Sequence, residues 1–205
     1  MAPPAGLLLA AGAGRRMGRP KALVELDGEP LVRRALRVLR DGGCAPLVVV
    51  IGAAADEVRA VLPSDVLVVT EPGWAEGMGA SLRAGLAALA GSVPTPPAAL
   101  IHLVDLPGVP ADCVARVGAR CAPGLLARAA YGGRPGHPVL IGRLHWTLVS
   151  EAATGDAGAR DYLAGNPAVQ LVECGDIANP SDVDTADQLA HFQQHVRGSQ
   201  ERGPD

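Results

Sequence analysis

Short apolar runs alternate with amphipathic stretches along the first half of the chain. Leu7-Leu8-Leu9, Leu47 to Ile51 and Val66 to Val69 are unbroken apolar runs of strand length, and Ala99 to Val104 is a fourth interrupted only by His102. Such runs, continuous rather than alternating, are how strands covered on both faces read. Between them the spacing turns helical. Leu31, Val32, Ala35, Leu36 and Leu39 fall on one face, with Arg33, Arg34, Arg37 and Arg40 opposite as a solvated face. Pro30 suits the first turn of that helix, and Asp41-Gly42-Gly43 ends it. Met78, Leu82, Leu86 and Leu89 predict a helix over 78–90, and shorter helices are expected over Asp56 to Leu62 and about 110–120. This βαβα order predicts an α/β fold: one three-layer α/β/α, Rossmann-like domain around a mostly parallel sheet.

The pattern changes past residue 120. Leu125 to Tyr131 and His137 to Ile141 predict short strands on either side of a glycine-rich turn, Gly132 to Gly136. Helical material follows near 143–150 and 158–164, then a last strand, Val169 to Glu173, and a last helix, Thr185 to Val196. Arg197 to Asp205 is polar and aperiodic, which predicts a flexible tail over 197–205 after a domain over 1–196.

The candidate chemistry concentrates between Leu7 and Leu23. The first apolar run breaks into Ala10-Ala11-Gly12-Ala13-Gly14, and Arg15, Arg16 and Lys21 follow. A loop without side-chain bulk lets backbone N–H groups approach a phosphate, and three cations add formal charge around the same anion. The end of a strand in an open α/β sheet is where such ligands bind. Three other motifs are excluded. No basic residue precedes the short leucine run, as a secretion signal would need. Met17 stands where a dinucleotide fingerprint requires glycine, and Pro20 and Ala22 flank Lys21 where a P-loop requires Gly and Ser or Thr.

Asp105 closes the fourth apolar run, on the same sheet edge as the loop. A carboxylate there suits Mg²⁺, which takes one or two carboxylates plus phosphate oxygens. Asp is also a good helix N-cap, so its residue type leaves both roles open. Asp182 and Asp184 precede the last helix, and either is a candidate cap. His191 and His195 are four apart with no Glu following His191, so they read as an ordinary helix face.

Composition narrows the partners. The 205 residues carry a net charge of -3, and 48% are hydrophobic but only 2% aromatic. That leaves neither a basic face nor stacking rings for nucleic acid. Cys44, Cys113, Cys121 and Cys174 lack metal-ligand spacing and read as buried free thiols. No apolar run approaches a membrane span, so a soluble, cytoplasmic protein with no membrane partner is expected.

The stretch Leu9 to Leu23, LAAGAGRRMGRPKAL, resembles the signature of MobA-like nucleotidyltransferases, most of all their molybdenum cofactor cytidylyltransferase branch. Gly133 to Pro138, Gly155 to Arg160 and Asp182 to Thr185 resemble further segments of that family. The resemblance implies the nucleotide-diphospho-sugar transferase-like fold, with a nucleotide half over about 1–110 and an acceptor half over about 111–196. It implies transfer of CMP from CTP to the terminal phosphate of a molybdopterin-type acceptor, with Mg²⁺ as cofactor. A molybdoenzyme or chaperone partner is implied as well. The catalytic residues would be Arg16, Lys21 and Asp105, and the metal ligands Asp105 and Asp184. Leu9, Ala10, Ala11, Gly12, Gly14, Arg15, Arg16, Lys21 and Ser81 would bind the nucleotide. His137, Asp156 and Arg160 would bind the acceptor. One departure bears on the base: the family's cytidylyltransferases carry serines where this chain reads Gly77 to Leu82, and only Ser81 remains. The alternatives are guanylyl transfer, a non-catalytic binding role, and sugar transfer from a nucleotide sugar.

Overall fold

The computed structural model describes residues 2–200, with side chains as far as Gln194. In chain order the strands are β1 (Ala5–Leu9), β2 (Glu25–Leu26), β3 (Glu29–Pro30), β4 (Leu47–Ile51), β5 (Leu67–Thr70), β6 (Ala98–Leu103), β7 (Leu126–Tyr131), β8 (Arg134–Gly142) and β9 (Val169–Glu173). The helices are α1 (Leu31–Asp41), α2 (Ala55–Ala60), α3 (Met78–Ala90), α4 (Ala111–Gly118), α5 (Trp146–Ala152), α6 (Arg160–Leu163) and α7 (Ala186–Gln200).

Seven strands form one sheet in the order β5-β4-β1-β6-β8-β7-β9. All its pairs are parallel except those of β8, which runs against both β6 and β7. The expected mostly parallel sheet with helices on both faces is therefore present. On one face Leu8, Val49 and Leu100 pack against α1, α4 and the start of α7. On the other, Leu7, Val50 and Ile101 pack against α3, α5 and α6. β1 and β4 are buried at every position, as their unbroken apolar runs require.

Three expectations need correction. Residues 66–69 read as a buried strand, but β5 is an edge strand and Leu67 is 50% exposed. An apolar run does not reveal whether a second neighbour exists. β8 begins at Arg134 rather than His137. Gly132 and Gly133 both have positive φ, as a two-residue type I′ turn needs, so pairing starts immediately after them. The expected tail is helical over 197–200, where α7 continues; its remainder, 201–205, lies outside the described residues. Among the described residues no helix is long and apolar enough to cross a membrane.

Candidate active site

The glycine loop is held at the carboxyl edge of the sheet by its neighbours. Ala10 N–H donates to the Val50 carbonyl at 2.9 Å, and Ala53 N–H to that of Ala11 at 3.0 Å. The two glycines then differ in role. Gly14 sits at φ 60°, and a Cβ there would lie 2.0 Å from the Arg19 carbonyl oxygen, so the turn that aims Arg15 and Arg16 tolerates no side chain. A Cβ at Gly12 would meet nothing within 4 Å, because that residue faces open space. Gly14 therefore serves the fold, and Gly12 keeps the approach to the loop clear.

Lys21 ends the loop between two carboxylates. Its Nζ lies 2.6 Å from Asp105 Oδ2, and it also donates to Asp184 Oδ1. Arg16 Nη2 lies 2.6 Å from the other oxygen of Asp184. Burial alone would lower the lysine pKa, but Asp105 first, then Asp184, hold it above its ordinary value. Asp184 is held below the usual carboxylate range by its hydrogen bond from Lys21, against burial and with help from Arg16. Sharing one ammonium places the carboxylate oxygens within about 6 Å of each other.

Local structure aims each of these acids. Asp105 lies two residues past the end of β6, and its carbonyl accepts from Val183 N–H at 2.9 Å, which ties the 179–184 segment to the strand end. The cap of α7 is Thr185, neither Asp182 nor Asp184. Gln188 N–H donates to Thr185 Oγ1 at 3.2 Å, and Gln188 Oε1 accepts from the N–H of Thr185 at 2.9 Å and of Asp184 at 2.8 Å. This is a capping box extended by one residue. It leaves the Asp184 carboxylate for Lys21 and Arg16.

These groups form one wall of a cleft of about 400 Å³. Leu9, Ala11, Gly12, Gly14, Arg15, Arg16, Lys21, Ser81, Asp105, Asp156 and Asp184 line it. Ala10 is buried beneath the loop instead. Trp74, Met78, Leu103 and Val104 also line it and were not singled out from the sequence. Trp74 was visible only as a lone tryptophan in a glycine-containing loop. Its ring system rests on Gly52, where a Cβ would come within 2.6 Å.

The far wall comes from the second half of the chain. Gly79 in α3 packs against the backbone of Ala153, which a Cβ would approach to 2.9 Å, and Gly77 meets Gly155 in the same way. Arg83 donates to the Ala153 carbonyl across this seam. Position 79, within the segment where the family's cytidylyltransferases carry serines, therefore admits no side chain unless the Ala153 backbone shifts. Asp156 reaches the cleft from this segment.

The other two residues expected on the acceptor side lie outside the lining. Arg160 is exposed on α6, 4.0 Å from Asp161. His137 lies on β8, and burial, then the Arg128 guanidinium, push its pKa down to about 4 although Asp105 pulls upward. Among the described residues no group of three or more His, Cys, Asp or Glu side chains is arranged for a metal. Asp105 and Asp184 supply two oxygens of the hard type, which fits a divalent cation completed by phosphate oxygens rather than an all-protein cage.

Comparison with known proteins agrees with the fold. The MobA-like NTP transferase domain matches residues 6–172. Nicotine blue oxidoreductase of Paenarthrobacter nicotinovorans is 40% identical over 90% of this chain and 93% of its own. A molybdenum cofactor guanylyltransferase of Rhodobacter capsulatus is 41% identical over 70% of this chain and 65% of its own. Among solved structures, the Mycobacterium tuberculosis rv0371c homolog from Mycobacterium sp. strain JC1 superposes with a TM-score of 0.76 at 28% identity, covering 95% of this chain and 97% of that one. The Mycobacterium tuberculosis Rv0371C complex with manganese gives 0.71 at 26% identity, over 94% and 98%. The chain belongs to the MobA-like NTP transferase family of nucleotidyltransferases.

Proposed function

We propose that the cleft transfers a nucleotidyl group from a nucleoside triphosphate to the terminal phosphate of a molybdopterin-type acceptor. The supporting observation is Lys21, bridging Asp105 and Asp184 beneath a loop that presents Arg15 and Arg16. An oxygen of the acceptor phosphate attacks the α-phosphorus, its bond to the β-phosphate oxygen breaks, and pyrophosphate leaves. Arg16 and Lys21 move onto the polyphosphate and take up the charge that grows on the leaving group. That movement leaves Asp105 and Asp184 facing each other. Asp105 and Asp184 would hold a divalent cation, Mg²⁺ in this proposal, which would supply charge neutralisation to the transfer. Residues of about 1–110 seat the nucleotide and those of about 111–196 the acceptor.

CTP is the donor we propose. The Ala11 methyl narrows the room for a purine, and Ser81, 4% exposed in the first turns of α3, offers a hydroxyl to a pyrimidine edge. The guanylyltransferase named above supports GTP instead. Competition between equal CTP and GTP in a Mg²⁺-dependent pyrophosphate-release assay with molybdopterin decides between them: CTP should show the higher kcat/KM. CTP binding without pyrophosphate release would fit a non-catalytic binding protein.

The identity to nicotine blue oxidoreductase over nine-tenths of the chain supports a second reading. In it, the same loop seats a nucleotide cofactor for a redox step. Loss of colour from nicotine blue with a reduced nicotinamide dinucleotide, unaffected by nucleoside triphosphate, would favour this reading over transfer.

A further inference from the structure

Arg128 lies in β7, three strands from the glycine loop. It is half-buried, and its one hydrogen bond among the described residues runs from Nε to the Gly136 carbonyl at 3.3 Å. Both Nη groups donate to nothing among the described residues, and no carboxylate there lies within ion-pair reach of it. Arg16, Arg37, Arg40 and Arg116, by contrast, each hold a carboxylate. Burial without a partner charge pushes the guanidinium pKa down. A fork that keeps its donors unused while partly desolvated is set to receive an anion from outside the chain.

The sheet places Arg128 beside the cleft. Leu126, Val139 and Ile101 share the face covered by α3, α5 and α6. Arg128 pairs with Val139 in register, so it stands on that face too. Ile101 pairs with Val139 across β6 and β8, and Leu103 stands two residues further along β6 on the same face. Leu103 lines the cleft. Ile101, Val139 and Arg128 thus form a row across three strands, and Leu103 lies one step beyond that row toward the carboxyl end of β6. Arg128 acts electrostatically on His137, and so does Asp105.

We infer that Arg128 binds the phosphate monoester of the acceptor, holding it at the Asp105 end of the cleft. The inference rests on the transfer reading for the identity of the ligand. The subsite itself is a claim about phosphate binding and is tested separately. Arginine is suited to this task because its planar fork matches two phosphate oxygens at once.

The probe is phenyl phosphate, titrated calorimetrically into the full chain, first alone and then with a saturating non-hydrolysable CTP analogue covering the Arg15–Lys21 loop. Arg128→Gln should weaken phenyl phosphate binding by about ten- to a hundredfold in both conditions. Affinity for the CTP analogue should stay within twofold of wild type, and the melting temperature should not fall. Arg128→Lys, which keeps the charge and loses the fork, should give an intermediate loss with the fold intact. Benzoate should bind at least tenfold more weakly than phenyl phosphate. Phenyl phosphate binding to Arg128→Gln within twofold of wild type, no binding to wild type, or equal binding of benzoate would overturn the assignment. Failure of the nucleotide reading appears differently, as a wild-type protein that ignores the CTP analogue while still binding phenyl phosphate through Arg128.

Discussion

At the residue scale, Lys21 does two jobs that its sequence position did not separate. Placed after an arginine-rich glycine loop, it reads as a phosphate ligand. In the structure it also neutralises two partly buried acids. Lys21→Ala should therefore lose most activity and also stability, about 1–3 kcal/mol at pH 7, because charged hydrogen bonds disappear and two carboxylates are left facing. Mg²⁺ should raise the melting temperature of the variant more than that of wild type, since the cation replaces the missing ammonium. Equal responses would mean that the acids do not form a cation site.

His102 makes a second prediction at this scale. It is 1% exposed on β6, its Nδ1 finds no hydrogen-bond partner among the described residues, and burial, with His137 adding to it, pushes its pKa down to about 3. An unfolded histidine titrates near 6.5, so the unfolded chain takes up a proton first. The stability owed to neutral His102 is complete above that pH and is lost as pH falls from about 6.5 toward 3, at about 1.4 kcal/mol per pH unit. His137 acts in the same direction. In denaturant titrations between pH 6 and pH 4, His102→Gln should fall off about half as steeply as wild type. An unchanged slope would show that His102 is charged when folded.

At the element scale, the cap of α7 and the start of α3 position the site. Removing the capping-box hydroxyl with Thr185→Ala should cost about 1 kcal/mol of stability. It should also reduce turnover, because Gln188 then loses the geometry that orients the Asp184 backbone. Turnover that tracks wild type while stability falls would separate the cap from the site. Gly79→Ser should destabilise by about 1–3 kcal/mol, since its Cβ meets the Ala153 backbone. It should not raise the preference for CTP over GTP. A sharper preference, measured by competition, would give the residue at position 79 a part in base choice.

Elements of this kind differ in how legible they were. β1, β4 and α3 follow from periodicity, because burial on both faces or along one stripe leaves a pattern in the chain. β5 did not, since apolar runs look alike in central and edge strands. The start of β8 at Arg134 was hidden because a charged, glycine-containing stretch carries little strand propensity, and the turn before it decides the pairing. The close approach of Gly77 and Gly79 to residues 153–156 depends on two segments some 70 residues apart, which no local pattern records.

At the scale of the whole molecule, the site is a product of topology. The sheet brings the ends of β1 and β6 to one edge, and α7 returns Asp184 to it across 163 residues from Lys21. The glycine loop was readable as an anion site from residue types alone. The convergence of Asp105 and Asp184 was not, and rested on a family resemblance, because spacing along the chain carries no information about a contact that the last helix creates. The same topology brings Asp156, from the second half of the chain, into the lining of the same cleft.

The central claim is that this cleft couples cleavage of a nucleoside triphosphate to nucleotidyl transfer using Asp105 and Lys21. The direct measurement follows α-labelled CTP with molybdopterin and Mg²⁺, reading pyrophosphate and labelled acceptor together in wild type and in Asp105→Asn. Equal amounts of pyrophosphate and labelled acceptor are expected from wild type. Asp105→Asn should yield neither while melting within a few degrees of wild type. Labelled acceptor from Asp105→Asn at the wild-type rate, or pyrophosphate without labelled acceptor from wild type, would contradict the account.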